Sequence, residues 1–203
     1  MEELIEKISA IFFRYGIKSV TMDDLAGELG ISKKTLYQHF HDKEDVVRAV
    51  IKQMIAHQSS AIEEMVSRTK LNAIEQLLDM SHFLSAHMQS VNPAMMYDLK
   101  KYYPVIWEEL MRYKRETIFS HIMRNIQQGI SEKLYRDDLT YEIIASVYVS
   151  RLELFASGQM EFLEDYSFRD IFKTLFVYHI RGIANESGLR FLETLISDEL
   201  KHS

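Results

Sequence analysis

The sequence predicts an all-α fold, and two observations support this prediction. Apolar residues recur at helical spacing along most of the 203 residues, whereas alternating, strand-like runs are rare. Only two prolines and seven glycines interrupt the chain, and several of them fall where one periodic run ends. The length is sufficient for one large or two small domains with a substantial core.

The first predicted helix covers about residues 2–15 and ends at Gly16. Residues 20–43, VTMDDLAGELGISKKTLYQHFHDK, then predict two short helices joined by a tight turn. Thr21 is followed three residues later by Asp24, as in a capping box, and Ser32 can cap the second helix. Gly30 can adopt the left-handed conformation that ends the first one. The pattern is that of a helix-turn-helix.

The second helix of this motif divides into an inner and an outer face. Leu36 and Phe40 continue the apolar inner face. Hydrogen-bond donors and flat rings, which suit phosphates and base edges, point outward. An ordinary helical hairpin with a solvated face explains each feature separately but fits the combination poorly. The outward residues are Lys33, Lys34, Thr35, Tyr37, Gln38 and His39.

This segment resembles the DNA-binding domain of the TetR family of bacterial transcriptional regulators. The resemblance covers roughly the first quarter of the chain, and length and helical character extend it loosely to the rest. Lys34 departs from the pattern, because many relatives carry glycine there, so we expect added charge and bulk at the start of the recognition helix. The matching residues are Phe12, Gly16, Val20, Thr21, Leu25, Ala26, Gly30, Ile31, Ser32, Thr35, Leu36, Tyr37, His39, Phe40 and Lys43.

The motif and the resemblance together imply binding to a double-stranded DNA operator. Residues 1–50 hold seven Lys and Arg against nine Asp and Glu, and the whole chain has a net charge of −6. We therefore expect Lys33, Lys34 and Lys43 to cluster while the acids lie largely on other faces, which gives operator-dependent affinity. The predicted DNA-binding residues are Thr21, Met22, Ser32, Lys33, Lys34, Thr35, Tyr37, Gln38, His39 and Lys43.

A long fourth helix, capped by Asp42 and running from about residue 43 to 68, is predicted to join two domains. These are a three-helix DNA-binding domain, 1–48, and a helical ligand-binding and dimerisation domain, 49–203. Prolines at 93 and 104 bracket a short helix. Ser167 with Asp170 starts another helix, and Gly129 and Gly158 are expected to follow helix ends. The helices predicted after the fourth cover about 71–90, 94–102, 104–128, 139–157, 167–185 and 188–200.

Residues 80–111 concentrate methionine and aromatic side chains, which suit an adaptable ligand cavity. The resemblance implies an inducer cavity bordered by the short helix. For any single one of these residues, packing in the core or in a dimer is the better explanation, whereas a cavity and packing explain the region as a whole equally well. Asp98 and Glu108 either orient a cationic ligand or are simply solvated. The predicted ligand-binding residues are Phe83, Met96, Tyr97, Tyr103, Trp107, Met111 and Tyr148.

The predicted helices at 139–157 and 167–185 are apolar over more than one face, which requires burial on several sides. The resemblance implies that they form a two-fold homodimer, whereas a deeply buried core pair is the alternative. The predicted interface residues are Ile144, Tyr148, Phe155, Phe172, Phe176 and Ile180.

Several function classes are disfavoured. The chain has no cysteine, and its eight histidines lack metal-ligand spacing with a carboxylate, so neither a thiolate nor a metal site is expected. No phosphate loop or nucleophile elbow occurs, so we expect no cofactor, no catalytic residues and no enzyme activity. The chain shows neither a basic-then-apolar leader nor a long apolar run, which favours a cytoplasmic protein without membrane contact.

The function expected is therefore that of a dimeric transcriptional repressor, released from its operator by a small apolar or aromatic ligand. Two alternatives remain beside a remote helical enzyme. One is a protein-binding adaptor that has lost operator reading, and the other is an activator without ligand control. The sequence does not distinguish repression from activation, nor does it identify the ligand.

Overall fold

Helices make up almost all of the part of the chain that the computed structural model describes, which comprises residues 1–67, 71–90, 92–156 and 165–202. The all-α prediction is confirmed, and an isolated bridge between Tyr135 and Ala184 is the strand-like pairing found within these ranges. The helices are α1 (Glu2–Tyr15), α2 (Met22–Glu28), α3 (Lys33–His39), α4 (Lys43–Ser67), α5 (Ala73–Ser90), α6 (Pro93–Tyr102), α7 (Pro104–Ser131), α8 (Tyr141–Ala156), α9 (Phe168–Ile183) and α10 (Glu186–His202).

Most helix starts follow the local signals in the sequence. A carboxylate oxygen of Asp42 accepts a hydrogen bond from the Asp45 backbone N–H at 2.9 Å, next to the start of α4. The prolines at 93 and 104 are the first residues of α6 and α7, where a missing backbone donor costs nothing. Ser167 caps α9 by accepting from the Asp170 N–H at 3.1 Å. These predicted starts are confirmed.

The predicted end of the seventh helix at Gly129 is wrong, because α7 continues to Ser131. Gly129 is buried inside the helix, where the ring of Tyr135 packs against its backbone. A Cβ at this position would lie 2.1 Å from Cδ2 of Tyr135. The glycine therefore serves close packing and does not terminate the helix. Gly158 lies outside the described residues.

The chain forms two compact units, which we call the head unit and the body unit. The head unit comprises Met1–Ala61 and Val91–Lys114, and the body unit comprises Ile62–Ser90 and Arg115–Ser203. Helix α4 contributes to both units. The predicted domain boundary after residue 48 stays a prediction.

The head unit has a core built from α1 to α4 together with α6 and the start of α7. Phe12, Leu25 and Leu36 are fully buried in it, and so is Leu99 from α6. The participation of residues 91–114 in this core was not predicted from the sequence. It places the short helix α6 within reach of the DNA-binding motif.

The body unit has its own core, to which α5 and α7 to α10 contribute. A buried polar network lies within it. The Asn125 side-chain amide donates to the Ala73 carbonyl at 2.7 Å, and its oxygen accepts from the Tyr135 hydroxyl at 3.2 Å. Burial raises the pKa of that hydroxyl well above its usual range. Within the described ranges, no helix combines the length and apolarity needed to cross a lipid bilayer.

Candidate nucleic-acid interface

The helix-turn-helix is held in shape by hydrogen bonds between near neighbours in the sequence. Thr21 Oγ1 accepts from the Asp24 N–H at 3.1 Å, and Asp24 Oδ2 accepts from the Thr21 N–H at 2.8 Å. The Thr21 hydroxyl, which donates to Asp24 Oδ2 at 2.7 Å, and the Thr21 N–H together hold the pKa of the Asp24 carboxyl below its usual range. Gly30 has a φ of 66° at the turn, where a side chain is disfavoured. The predicted capping box and left-handed glycine are confirmed.

The second helix of the motif, α3, presents a polar surface on one side and anchors its other side in the core. Ser32 Oγ accepts from the Thr35 N–H at 3.0 Å, and the two hydroxyls bond each other at 2.7 Å. Leu36 is fully buried and Phe40 nearly so. The exposed side chains of α3 form what we call the recognition surface. Its members are Lys33, Lys34, Tyr37, Gln38 and His39.

Two further predicted contact residues lie at the start of α2. Thr21 is exposed, but its hydroxyl and backbone are engaged in the capping box. Met22 is buried and packs into the core of the head unit. Its side chain therefore does not face a bound duplex. The group of Met22 that can still bind a phosphate is its backbone N–H, at the start of α2.

An acidic residue lies directly beside the recognition surface. Lys33 Nζ is 2.6 Å from Asp23 Oδ1, and both side chains are more than half exposed. The hydrogen bond to Asp23 raises the pKa of Lys33 above its usual value. The expectation that the acids lie largely on other faces is wrong for Asp23, because α2 places its first turn against the start of α3. A phosphate must compete with this carboxylate for the lysine.

Lys43 occupies the first position of α4, as predicted. It is half-buried, and desolvation lowers the pKa of its ammonium, an effect opposed by the nearby carboxylates of Asp98 and Asp24. Its Nζ donates to the Lys18 carbonyl at 3.4 Å. A helix N-terminus with an adjacent ammonium is a suitable site for one phosphate.

Asp98, on α6, bonds to Lys18 in the segment between α1 and α2, and this contact was not predicted from the sequence. Its Oδ2 accepts from the Lys18 N–H at 2.8 Å. The alternatives considered for Asp98, ligand orientation or simple solvation, do not describe this carboxylate, because it is bonded within the head unit. The two residues are 80 positions apart, and no local pattern in the sequence relates them.

The predicted ligand-binding residues divide between the two units. Four of them are partly buried against the core of the head unit, namely Met96, Tyr103, Trp107 and Met111. Tyr97 is 59% exposed, and its hydroxyl accepts a hydrogen bond from Lys101 at 2.9 Å. Phe83 packs against the core of the body unit, and Tyr148 is buried inside it. The structure therefore does not bring the set together within one unit.

The predicted dimer residues are mostly directed inward. Tyr148, Phe172, Phe176 and Ile180 are buried in the core of the body unit, and Ile144 packs against that core. Phe155 lies outside the side chains that the structure describes. The same two helices expose other apolar residues, namely Ile143, Val147 and Tyr178. The sequence pattern identified apolar helices but did not separate their inner faces from their outer faces.

Comparison with known proteins agrees with this geometry. The family model described as bacterial regulatory proteins, tetR family, matches residues 4–50, the segment that carries the helix-turn-helix. The HTH-type transcriptional regulator YvaF of Bacillus subtilis is 35% identical over 98 residues, which is 48% of this chain and 52% of YvaF. The chain thus matches about half the length of that relative.

Two further similarities extend over most of the chain. The transcriptional repressor KstR2 of Mycobacterium tuberculosis is 28% identical over 158 residues, covering 70% of this chain and 72% of KstR2. The crystal structure of a transcriptional regulator from Cytophaga hutchinsonii superposes with a TM-score of 0.75 at 20% identity, covering 91% of this chain and 98% of that one. That structure shares the fold.

Residues 4–50 thus match the DNA-binding segment of the TetR family, and the similar proteins named above are transcriptional regulators. Members of this family are DNA-binding transcriptional regulators, and the recognition surface on α3 lies within the matched segment. YvaF is named a transcriptional regulator and KstR2 a transcriptional repressor, in agreement with the function class expected from the sequence.

Proposed function

We propose that this protein represses transcription as a homodimer bound to a partly palindromic operator. The observation that carries the proposal is the recognition surface, which α3 presents to solvent while Leu36 and Phe40 anchor the helix in the head core. A helix of this kind reads base edges in the major groove. Two of them, one from each copy, fit two major grooves about 34–36 Å or a multiple of this apart.

Repression, as opposed to activation, is supported by one relative. KstR2 is named a transcriptional repressor and is similar over 70% of this chain. A protein seated on two adjacent major grooves also excludes other proteins from the same DNA. Repression therefore requires only operator binding, whereas activation requires a further contact.

We also propose that an apolar or aromatic small molecule, bound near Met96, Tyr103 and Trp107, releases the protein from DNA. These side chains are partly buried and lie on α6, on α7 or between them. The same segments are bonded to the residues that flank the DNA-binding motif on either side. The Asp98 carboxylate of α6 accepts a hydrogen bond from the Lys18 N–H. Arg48 Nη1, on α4, donates to the Glu109 carboxylate of α7 at 2.5 Å.

These bonds supply a route by which a bound ligand affects the recognition surface. A ligand that displaces α6 also displaces Lys18, because Asp98 of α6 accepts a hydrogen bond from the Lys18 N–H. The Lys18 carbonyl in turn accepts a hydrogen bond from Lys43 Nζ. Coupling of this kind is reciprocal, so a ligand that weakens DNA binding is itself bound less tightly when the protein is on DNA.

The test of DNA binding uses fluorescence anisotropy with duplexes from the region upstream of the protein's own gene, titrated at several salt concentrations. We expect binding to one partly palindromic segment by a dimer, with an affinity that falls as salt rises. Scrambled duplexes of equal length serve as the control. Full affinity of a monomer for a single half-site would refute the dimeric mode.

The test of ligand control uses the fluorescence of Trp107, the single tryptophan of the chain. Apolar and aromatic compounds that change this fluorescence are expected to lower operator affinity in the same concentration range. A library in which no compound changes either signal contradicts ligand release and leaves the proposal of DNA binding intact.

A further inference from the structure

The exposed side of α6 combines a lysine ammonium group with tyrosine rings. Lys101 Nζ lies 5.2 Å from the ring centroid of Tyr97 and 5.4 Å from that of Tyr102. Lys18, in the segment between α1 and α2, places its Nζ 4.8 Å from the same Tyr102 centroid. All four side chains are exposed, and all belong to the head unit. We call Lys18, Tyr97, Lys101 and Tyr102 the lysine–tyrosine patch.

The positive charge of this patch is not neutralised by ion pairs. Lys18 and Lys101 contact tyrosine rings, and neither forms a salt bridge to a carboxylate within the described part of the chain. The carboxylate of Asp98 also reaches Lys18, but its Oδ2 accepts from the Lys18 backbone N–H at 2.8 Å. Two ammonium groups therefore lie beside one carboxylate, which leaves an excess of positive charge here although the whole chain has a net charge of −6.

Hydrogen-bond donors outnumber acceptors in the patch. An ammonium carries three N–H donors and no acceptor, and a tyrosine hydroxyl that accepts a hydrogen bond keeps its own hydrogen to donate. Lys101 Nζ donates to the Tyr97 hydroxyl at 2.9 Å, and this bond raises the pKa of Lys101 above its usual value. The partner that such a surface suits carries negative charge and only accepts hydrogen bonds. A phosphodiester group has both properties.

The patch continues from the start of α4, which is a suitable site for one phosphate. Lys43 Nζ donates to the Lys18 carbonyl at 3.4 Å, and the Lys18 ammonium reaches Tyr102. Each contact between Lys43 and Lys101 spans less than 6 Å. Because phosphates follow one another along a DNA strand at about 3.4 Å of helix axis, a duplex bound at Lys43 offers further phosphates to the neighbouring patch.

The recognition surface supplies only part of the attraction that DNA binding needs. Lys33 is paired with Asp23 at 2.6 Å, so a phosphate must displace this carboxylate. Contacts to phosphates supply a large share of the affinity of proteins for duplex DNA. Ammonium groups that lack a carboxylate partner and lie next to Lys43 therefore add attraction where the recognition surface is weak.

We propose that the lysine–tyrosine patch binds the phosphate backbone of the DNA that flanks the operator. Lys18 and Lys101 are the cations, the Tyr97 hydroxyl is a further donor, and the ring of Tyr102 holds both ammonium groups in place. The inference rests on the operator binding proposed above and adds a contact outside the two major grooves. Continuity with the start of α4 selects DNA over an acidic protein as the occupant. Backbone contacts carry no base information, so the sequence of the flank is not read.

Duplex length separates the flanking contact from operator binding. Anisotropy titrations at several salt concentrations compare a duplex that ends at the operator boundary with one extended on each side by one helical turn, about 10 base pairs. The wild type is expected to bind the extended duplex more tightly and with a steeper salt slope. On that duplex alone, Lys101→Ala is expected to lower the magnitude of the slope by about 0.9 per contact, or about 1.8 in a dimer, and to weaken binding about 10-fold at low salt.

Lys100→Ala is the matched control, because it removes the same charge one position away. Successive residues of a helix are about 100° apart around its axis, and Lys100 is exposed beside a different ring, with its Nζ 5.8 Å from the Trp107 centroid. This variant is expected to keep the wild-type difference between the two duplexes. Tyr97→Phe keeps the ring and the charge but removes the hydroxyl, and it is expected to weaken binding about 3-fold on the extended duplex alone. Circular dichroism checks that each variant is folded.

Hydroxyl-radical footprinting provides a readout that does not depend on affinity. At protein concentrations that saturate the operator, the wild type is expected to protect the sugars of the flanking nucleotides as well as those of the operator. Lys101→Ala is expected to lose the flanking protection and to keep the protection of the operator. Lys100→Ala is expected to keep both.

The outcomes separate the two proposals. A wild-type protein that binds none of the upstream duplexes overturns operator binding, and with it the flanking contact. A wild type that binds both lengths equally, or a Lys101→Ala variant that loses the same factor on both, overturns the flanking contact alone. The same holds if Lys100→Ala behaves like Lys101→Ala, or if the patch serves an acidic protein and Lys101→Ala changes neither duplex. Loss confined to the extended duplex and to its flanking protection supports the inference.

Discussion

The head unit and the body unit differ in the sequence distance over which their polar groups find partners. In the helix-turn-helix, the capping bonds of Thr21, Ser32 and Asp42 each join residues three positions apart. In the body unit, Asn125 bonds to Ala73 across 52 positions, and the Asn185 side chain reaches the Lys133 carbonyl across 52 as well. The first pattern is visible in the sequence, whereas the second depends on how distant helices pack.

This difference explains why the DNA-binding motif is recognisable and the rest of the chain is not. Local caps and a turn glycine impose fixed residue types at fixed spacing. Long-range bonds and packing contacts require only that compatible groups meet, so many sequences satisfy them. Asp98 shows that the head unit also uses such a bond, and this was the part of the head that sequence reasoning missed.

The largest expected effect is on the free energy of unfolding, and it distinguishes a tightly packed glycine of the body unit from an open glycine of the head unit. A Cβ at Gly188 would lie 2.2 Å from the Leu134 carbonyl oxygen, whereas a Cβ at Gly27 would meet nothing within 4 Å. Gly188→Ala is expected to lower the free energy of unfolding by about 3 kcal/mol, because backbone must move. Gly27→Ala is expected to raise it by about 0.5–1 kcal/mol. Urea denaturation measures both, and equal effects would contradict the packing described.

The second prediction separates residues of the head unit that contact base edges from residues that position the protein on the phosphate backbone. Gln38→Ala is expected to weaken the free energy of operator binding by about 1–3 kcal/mol for each base pair that Gln38 contacts and to change which bases are preferred. Lys43→Ala is expected to weaken all sequences alike and to lower the magnitude of the salt slope by about 0.9 per contact, or about 1.8 in a dimer. Operator libraries titrated at several salt concentrations measure both effects. A change of base preference in Lys43→Ala with none in Gln38→Ala shows that the orientation of α3 on DNA is wrong.

The third prediction concerns pH and a group that only tertiary packing buries. Burial, and to a lesser extent the nearby Arg151, lowers the pKa of His179 to about 3. Because this is below the pKa of about 6.5 in an unfolded chain, the unfolded state takes up the proton first as the pH falls. The free energy of unfolding therefore keeps the contribution of neutral, buried His179 above about pH 6.5 and loses it as the pH falls toward 3.

Between pH 7 and pH 5, the wild type is expected to lose about 2 kcal/mol more stability than His179→Phe, at about 1.4 kcal/mol per pH unit. The groups that face His179 in the structure are Tyr148 and Arg151 of α8. His39→Phe, a change at an exposed position of the head unit, is the matched control and is expected to keep the wild-type pH dependence. Parallel curves for the wild type and His179→Phe would show that His179 is not buried as a neutral group.

The smallest expected effect concerns the acid beside the recognition surface. Asp23→Asn removes the carboxylate that pairs with Lys33 at 2.6 Å and frees the ammonium for phosphate. Operator affinity at low salt is expected to rise by a few-fold, with little change in stability because the pair is exposed. Glu6→Gln, at an exposed acid of α1, is the control for net charge. Equal gains in the two variants would assign the effect to net charge alone.

The sequence by itself determined the all-α fold, nearly every helix boundary and the helix-turn-helix with its exposed α3. These features depend on periodicity, caps, prolines and turn glycines, which act within a few residues of one another. Where the pattern was ambiguous, the prediction was wrong. Gly129 has the residue type of a helix end, yet its role is set by the ring of Tyr135.

Only the tertiary structure decided which residues of the apolar helices face inward and which charged groups meet. Apolar residues on several sides of α8 and α9 predict burial but do not say against what, so buried Phe172 and exposed Tyr178 look alike in the sequence. The placement of Asp98 at Lys18, of Asp23 at Lys33 and of Arg151 without an acceptor likewise follows from packing. The physical reason is that hydrophobic burial is non-directional, whereas hydrogen bonding at helix ends is local and specific.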